Sequence, residues 1–292
     1  MPLFYISYHC SQVHPDYSAM YNKNISSQSG SLLSFFHEKD QERFVYQEAF
    51  DALPHSKEGA VRELLSDMTR RGLLLRLRKG VYQIIPFEQD AATYMPDWHL
   101  AAAGVVKDAD YYIGYYSALQ LHQLITQPSL KEQIVVSRQL RPSTLTLRNI
   151  TFQFIYHNPT HFFGAKKTWI DNFHQVSCSD IEKTIVDCLF KPDYAGGIAE
   201  VAKALYAAKH QLQFDKLLTY VQRFQSQAVG KRLGFLLELL DINTAIIATL
   251  QKNKSTSYVP LDTELPKSGP LISRWNIQQN LDTETIQSAI FT

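Results

Sequence analysis

Cysteine is scarce. The three in 292 residues, Cys10, Cys178 and Cys188, form no CxxC pair and leave an odd count. That argues against a disulfide framework and against a cysteine zinc site, and it suits a reducing cytoplasm. Cys188 falls on the apolar stripe of an expected helix, where it reads as a small buried hydrophobe. Long apolar runs are also missing. None approaches the ~20 residues that a spanning helix needs. The opening MPLFYISYHC has neither a basic n-region nor a sufficient h-region, so neither membrane insertion nor a signal peptide is expected. Net charge is nearly absent, at +1. A partner selected by charge would have to be met by a local patch.

Motifs for chemistry are equally sparse. Gly196-Gly197 precedes a helical pattern, but no Gly-Lys-Ser/Thr follows, so the pair reads as a turn rather than a phosphate cradle. His157 and His161 have metal-like spacing only on a helix. Pro159 lies between them and no third ligand is near. His122 sits on an apolar stripe and reads as packed. In SDIEKTIVDC, the residues Asp180, Glu182, Lys183 and Asp187 resemble a nuclease set. Ser179 and Glu182 also fit a capping box, and Asp180 and Asp187 are expected on the polar side. The structural reading is preferred there, and no enzymatic activity, metal or other cofactor is expected.

What is present is a concentration of charge. Between Lys57 and Lys79 there are seven basic residues (Lys57, Arg62, Arg70, Arg71, Arg76, Arg78, Lys79) against three acids (Glu58, Glu63, Asp67). This excess of +4 leaves about −3 for the rest of the chain. The stretch has a definite layout. Val61, Leu64, Leu65 and Met68 recur at i, i+3, i+4 and i+7, the buried stripe of a helix. Ser56 stands at the N-cap position, and Gly72 follows the helix as a stop. LLLRLRKGVYQI then reads as a hairpin turning at Lys79-Gly80, with Arg78 opposite Val81, Leu77 opposite Tyr82, Arg76 opposite Gln83 and Leu75 opposite Ile84. That register places Leu73, Leu75, Leu77, Tyr82 and Ile84 on one face and Arg76 and Arg78 on the other. Shorter helices are expected over Ser31–Asp40 and Glu42–Leu53, the second ended by Pro54. Three helices and a basic hairpin make a winged helix-turn-helix.

The length suits two domains. Residues 1–29 read as a tail or extension, 30–86 as the winged helix, 87–96 as a linker and 97–292 as a second, mixed domain. In that domain Tyr111–Ile125 reads as helix. Gln133–Ser137, Ile150–Tyr156 and Trp169–Ser177 read as strands. A helical bundle follows: Ile181 to Leu189, Ile198–His210, Phe214–Phe224 and Lys231–Leu240. The tail from Ser255 reads as an extended strap anchored by Tyr258, Leu261, Leu271, Ile272 and Trp275. The fold class expected is α+β.

The first turns of a recognition helix read base edges. This nominates Ser56, Lys57, Gly59, Arg62, Glu63 and Ser66, because arginine can bond guanine bidentately and glutamate can accept from cytosine. On the hairpin, Arg76, Arg78 and Lys79 would meet phosphates or an adjacent minor groove. Lys166, Lys167, Lys203, Lys209, Lys231 and Arg232 form a candidate second basic surface on the C-terminal domain, of which Lys166, Lys167, Lys231 and Arg232 are nominated for contact with a partner protein or its RNA substrate.

Five blocks carry a family resemblance by their order: RRGLLLRLRKGVYQI, YYIGYYSALQLHQL, SDIEKTIVDCL, DYAGGIAEVAKAL and VGKRLGFLLELL. Together they resemble the AbiE-type antitoxins of abortive-infection systems, the type IV toxin–antitoxin modules, over roughly residues 30 to 275. The resemblance implies an N-terminal winged helix that represses the module's own promoter at inverted repeats, with the family's DNA-binding basics falling on Lys57, Arg62, Arg70, Arg71, Arg76, Arg78 and Lys79. It also implies a C-terminal domain that counters a nucleotidyltransferase-like toxin. Two other classes stay open: a stand-alone regulator with a ligand-sensing or oligomerising C-terminal domain, and a nuclease or transferase with a DNA-binding arm.

Overall fold

The computed structural model describes residues 23–106 and 108–291. Cys10 and most of the expected 1–29 tail lie outside the described residues. The protein is a mixed α+β molecule of two compact units, one ending at Tyr94 and the other beginning at Met95. The boundary falls inside the expected 87–96 linker.

In the N-terminal unit, α1 (Ser27–His37) is capped by the Ser26 hydroxyl, which accepts from the Ser29 amide. The expected tail therefore ends sooner, before Ser26. β1 (Arg43–Val45) and α2 (Tyr46–Asp51) replace the single helix expected over Glu42–Leu53. Arg43, Phe44 and Val45 pair antiparallel with Gln83, Tyr82 and Val81, and the Phe44 ring stacks on Phe36 at 4.2 Å. An aromatic and a β-branched residue beside an open strand edge favour pairing over helix. α3 (Glu58–Arg70) buries Val61, Leu65 and Met68, each contributing ~1.5–3 kcal/mol. Its N-cap is Lys57, not Ser56, and no side chain bonds the first amides. Gly72, at φ +72°, ends it as expected.

β2 (Leu74–Arg78) and β3 (Val81–Ile84) complete a sheet of order β1-β3-β2. The register departs from expectation after one pair. Arg78 opposes Val81, but a bulge at Leu77 sets Arg76 opposite Tyr82, Leu75 opposite Gln83 and Leu74 opposite Ile84. Leu74, Tyr82 and Ile84, not Leu75, therefore meet the core with Phe44. The extra residue lets Leu74 and Leu77 both bury, which strict alternation forbids.

The C-terminal unit begins with α4 (Trp98–Val106), then β4 (Tyr111–Ile113) and α5 (Tyr115–Leu121). The helix expected over Tyr111–Ile125 is thus a strand, a turn and a short helix, because β4 is drawn between two strands. β5 (Lys131–Val136), β6 (Thr144–Leu147), β7 (Ile150–Tyr156), β8 (Ala165–Trp169) and β9 (Gln175–Ser179) join it in a sheet of order β6-β7-β5-β4-β9-β8. The single strand expected over Trp169–Ser177 is a hairpin instead. Asp171 makes the turn by accepting from the amides of Phe173 and His174, both at 2.7 Å.

α6 (Ile181–Phe190), a 3-10 turn Pro192–Ala195, α7 (Ile198–Ala208), α8 (Phe214–Phe224), α9 (Gln227–Leu239) and α10 (Ile246–Asn253) form the bundle. The strap contributes β10 (Val259–Pro260), β11 (Leu271–Ile272) and β12 (Ile277–Gln278), then α11 (Thr283–Ala289), which packs on α7. Leu261 and Trp275 are the strap's buried anchors, whereas Tyr258 and Leu271 are exposed. No helix among the described residues is long and apolar enough to cross a membrane.

Candidate functional site

Tyr46 organises the exposed face of the N-terminal unit. Its amide donates to the Gly80 carbonyl at 2.8 Å, which ties α2 to the hairpin turn. Its hydroxyl donates to the Glu58 carbonyl at 3.1 Å, in the first turn of α3. The Arg62 guanidinium lies over its ring, 5.5 Å from the centroid. One residue thus meets the hairpin tip through its backbone and the start of α3 through its side chain. Lys57, Gly59, Arg62, Glu63, Ser66 and Arg70 are all exposed along α3, as are Arg76 and Lys79 on the hairpin, while Ser56 and Arg78 are half-buried.

Arg62 pairs with Glu58, and Arg70 with Asp67, in solvent-exposed contacts. Such pairs hold weakly and exchange readily for other partners. Arg71 is different. Its side chain is only 20% exposed, bonds Asp67 at 2.7 Å and reaches back to the Asn24 carbonyl and the Ser29 hydroxyl. It ties the start of α1 to the end of α3, so among the nominated cations it is a brace.

The four nominated cations of the C-terminal unit separate into two pairs. Lys166 and Lys167 are exposed on β8. Lys231 and Arg232, expected on the same surface, are 1% and 2% exposed. Lys231 donates to the hydroxyl of Ser255 at 2.9 Å and to the Ser257 carbonyl. Arg232 donates to the carbonyls of Leu189 at 2.7 Å and Pro260 at 2.9 Å, fastening the end of α6 to the strap. Burial lowers the Arg232 pKa to about 10. Neither is available for surface contact, because α9 is apolar on nearly every side and the strap covers it.

Asp187, expected on the polar side of its helix, lies instead in a polar cluster within the core. Asp187 and Lys183, one turn apart on α6, are fully buried and bonded to each other. Tyr112 donates to Asp187 at 3.0 Å and accepts from Lys183 at 2.9 Å. His157 stands between two hydroxyls, Tyr112 at 3.2 Å from Nδ1 and Tyr115 at 2.8 Å from Nε2. One assignment satisfies every group: Nδ1–H donates to Tyr112, and Tyr115 donates to Nε2. Burial, reinforced by the Lys183 ammonium, lowers the His157 pKa to about 3, so the ring is neutral. Burial also raises the Asp187 pKa and lowers that of Lys183, each restrained by the other's charge. Gly164 permits the packing. Its φ is +74°, and a Cβ there would stand 2.8 Å from the Lys183 Cβ. Tyr115 takes a left-handed φ of +51°, strain held by the surrounding structure. The sequence signal for the cluster was an i, i+4 Lys–Asp pair inside an otherwise apolar helix.

The cap of α6 is Asp180, accepting from the Lys183 amide at 2.9 Å, and not Ser179, whose hydroxyl bonds Thr184 at 2.7 Å. Glu182, itself buried, accepts from the Gln213 amide and from Lys216 at the start of α8, both at 2.9 Å. His122 is packed, against the Ser179 carbonyl at 2.7 Å. Gly196-Gly197 is a left-handed turn, and the α7 amide of Ile198 donates to Asp262 at 2.7 Å. A carboxylate of the chain itself thus occupies that helix N-terminus.

No family model and no curated protein matches the chain. Among solved structures, it is similar to the RV2827C protein from Mycobacterium tuberculosis, with a TM-score of 0.67 over 94% of this chain and 98% of that one. The sequence identity is 14%, so the likeness is one of fold.

Proposed function

We propose that the N-terminal unit is a winged helix that binds promoter DNA, and that the protein is the antitoxin and autorepressor of an AbiE-type toxin–antitoxin module. The observation that carries the DNA-binding half is the Tyr46 junction. It sets the exposed Arg62 and the hairpin tip at Lys79-Gly80 beside each other. The order α1-β1-α2-α3-β2-β3 and the sheet order β1-β3-β2 support that reading. In this reading α3 enters the major groove, Arg62, Glu63 and Ser66 read base edges, and Lys57, Arg70, Arg76 and Lys79 meet phosphates. Arg71 is left out, since its guanidinium already braces the unit.

Footprinting of the full chain on its own upstream region tests this half. Protection of an inverted repeat is expected, with a salt slope of about −3 to −4 for four phosphate contacts. Arg76→Ala and Lys79→Ala should each reduce the slope by about 0.9 while leaving the preferred sequence unchanged. A slope near zero overturns the phosphate contacts.

The antitoxin half is supported by the ordered blocks of sequence. It is tested by co-expression with a nucleotidyltransferase-like toxin encoded beside it. Rescue of growth by a variant that no longer binds DNA is the expected outcome. Failure of the full chain to rescue leaves a regulator alone.

A further inference from the structure

Of the four cations nominated on the second basic surface, the two that reach solvent sit on the last strand of the six-stranded sheet. On one side β8 pairs with β9, Lys166 opposite Cys178, Lys167 opposite Ser177 and Trp169 opposite Gln175. On the other side no backbone partner lies among the described residues. An unpaired edge is a template for a further strand, and native sheets blunt it with bulges, prolines, covers or charge. The pairing of β8 with β9 has no register shift, and AKKTW has no proline. Charge is the device left, and it selects by sign. Two adjacent lysines repel a basic strand, including β8 of a second copy, and attract an acidic one.

An apolar anchor stands beside them. Trp169 is 61% exposed, and Phe173, in the turn after β8, is 83% exposed. Exposed aromatics at one strand end form the kind of patch that a partner covers. The row of open amides and carbonyls matches a peptide backbone and has no counterpart in a nucleic-acid backbone.

We infer that β8 is a strand-addition site for an extended acidic segment of a partner protein. Side chains alternate along a strand, so Lys167 and Trp169 share one face, and Lys166 and Thr168 the other. In antiparallel pairing, if residue j opposes Lys166, then j−1 opposes Lys167 and j−3 opposes Trp169. The segment therefore reads, from its N-terminus, apolar, any residue, acidic, acidic. The site is independent of DNA binding by the other unit. If the partner is the proposed toxin, β8 supplies a contact which that reading leaves unassigned.

The test uses the full-length protein and a short capped peptide carrying phenylalanine, threonine and two glutamates in that order within a valine–threonine frame. Hydrogen exchange over residues 165–169 and Trp169 fluorescence are the readouts. The peptide should slow exchange across β8. A version N-methylated at alternate residues, equal in charge but unable to pair, should bind roughly tenfold more weakly or worse. Lys166→Glu with Lys167→Glu should lose the acidic peptide and gain its lysine counterpart. Should that variant fail to fold, the two peptides on the unaltered protein decide alone. Equal binding of the N-methylated peptide, or no protection of 165–169, overturns the inference. So does tighter protection of β8 by a single-stranded oligouridylate, or by self-association of the protein. The footprint is measured on the same variants, so a failure here is distinguishable from a failure of DNA binding.

Discussion

The N-terminal unit leaves most of its nominated cations in solvent, whereas the C-terminal unit buries three of its cations on helices. In the N-terminal unit Arg62, Arg70, Arg76 and Lys79 reach solvent, and Arg62 and Arg70 are held by single surface carboxylates. In the C-terminal unit Lys183, Lys231 and Arg232 are buried, each bonded to carbonyls, hydroxyls or a carboxylate. The difference follows from the helices that carry them. α3 buries one stripe and leaves the rest to water. α6 and α9 bury nearly every side, so a lysine there has no solvated face to occupy. A cation's position on its helix, and not the local charge count, decides whether it is an interface or a fastening.

Removing a buried partner should have the largest effect. Asp187→Ala leaves Lys183 uncompensated in the core and should cost about 3–5 kcal/mol in denaturant unfolding. Lys183→Met with Asp187→Leu, which removes both charges, should recover most of that loss. A double variant as unstable as the single one would break the comparison, because the pair would not act as a unit. Gly164→Ala forces a left-handed backbone and a Cβ against Lys183, and should cost about 1–3 kcal/mol, read as a lowered Tm.

The pH dependence sharpens the same point. The unfolded chain protonates His157 near its ordinary 6.5, whereas the folded chain holds it neutral until about 3. The unfolded state binds the extra proton between those values, so stability falls as pH drops through that window and is indifferent to His157 above it. The slope should approach ~1.4 kcal/mol per pH unit, and His157→Gln should flatten it. An unchanged slope would show that the imidazole is not held neutral.

The surface cations should respond through binding and not through stability. Arg62→Ala should weaken operator binding roughly tenfold and relax preference at one base pair. Glu58→Ala should leave unfolding within error, since both members of its pair are exposed. A measurable loss of stability from Glu58→Ala would narrow the contrast between the units.

Much of the architecture was legible. α8 spans the residues its pattern marks, and so does β7, since Phe214–Phe224 keeps a helical stripe and Ile150–Tyr156 is rich in β-branched and aromatic residues. The failures share a cause. Arg43–Val45 and Tyr111–Ile113 are too short to show a period, and each becomes a strand because another strand's edge is available. The hairpin register shifts at Leu77 because two leucines of unlike parity are both buried. The exposed candidates on α3 were readable because an amphipathic helix names its own solvent face. The Tyr46 junction was not, since it joins α2 to the hairpin through a backbone amide and to α3 through a side chain, across residues distant in sequence.

Periodicity, glycine stops and charge asymmetry are local properties, and they specified α6 to α9 of the bundle but not α10, together with the basic hairpin and the exposed side of α3. Which cations became fastenings, which strand became an edge and which polar residues met in the core depended on contacts between residues far apart in the chain. Lys183 and Tyr112 are 71 positions apart, and Arg232 and Leu189 are 43. No window of sequence spans such pairs, and burial is a property of what covers a residue as much as of the residue itself.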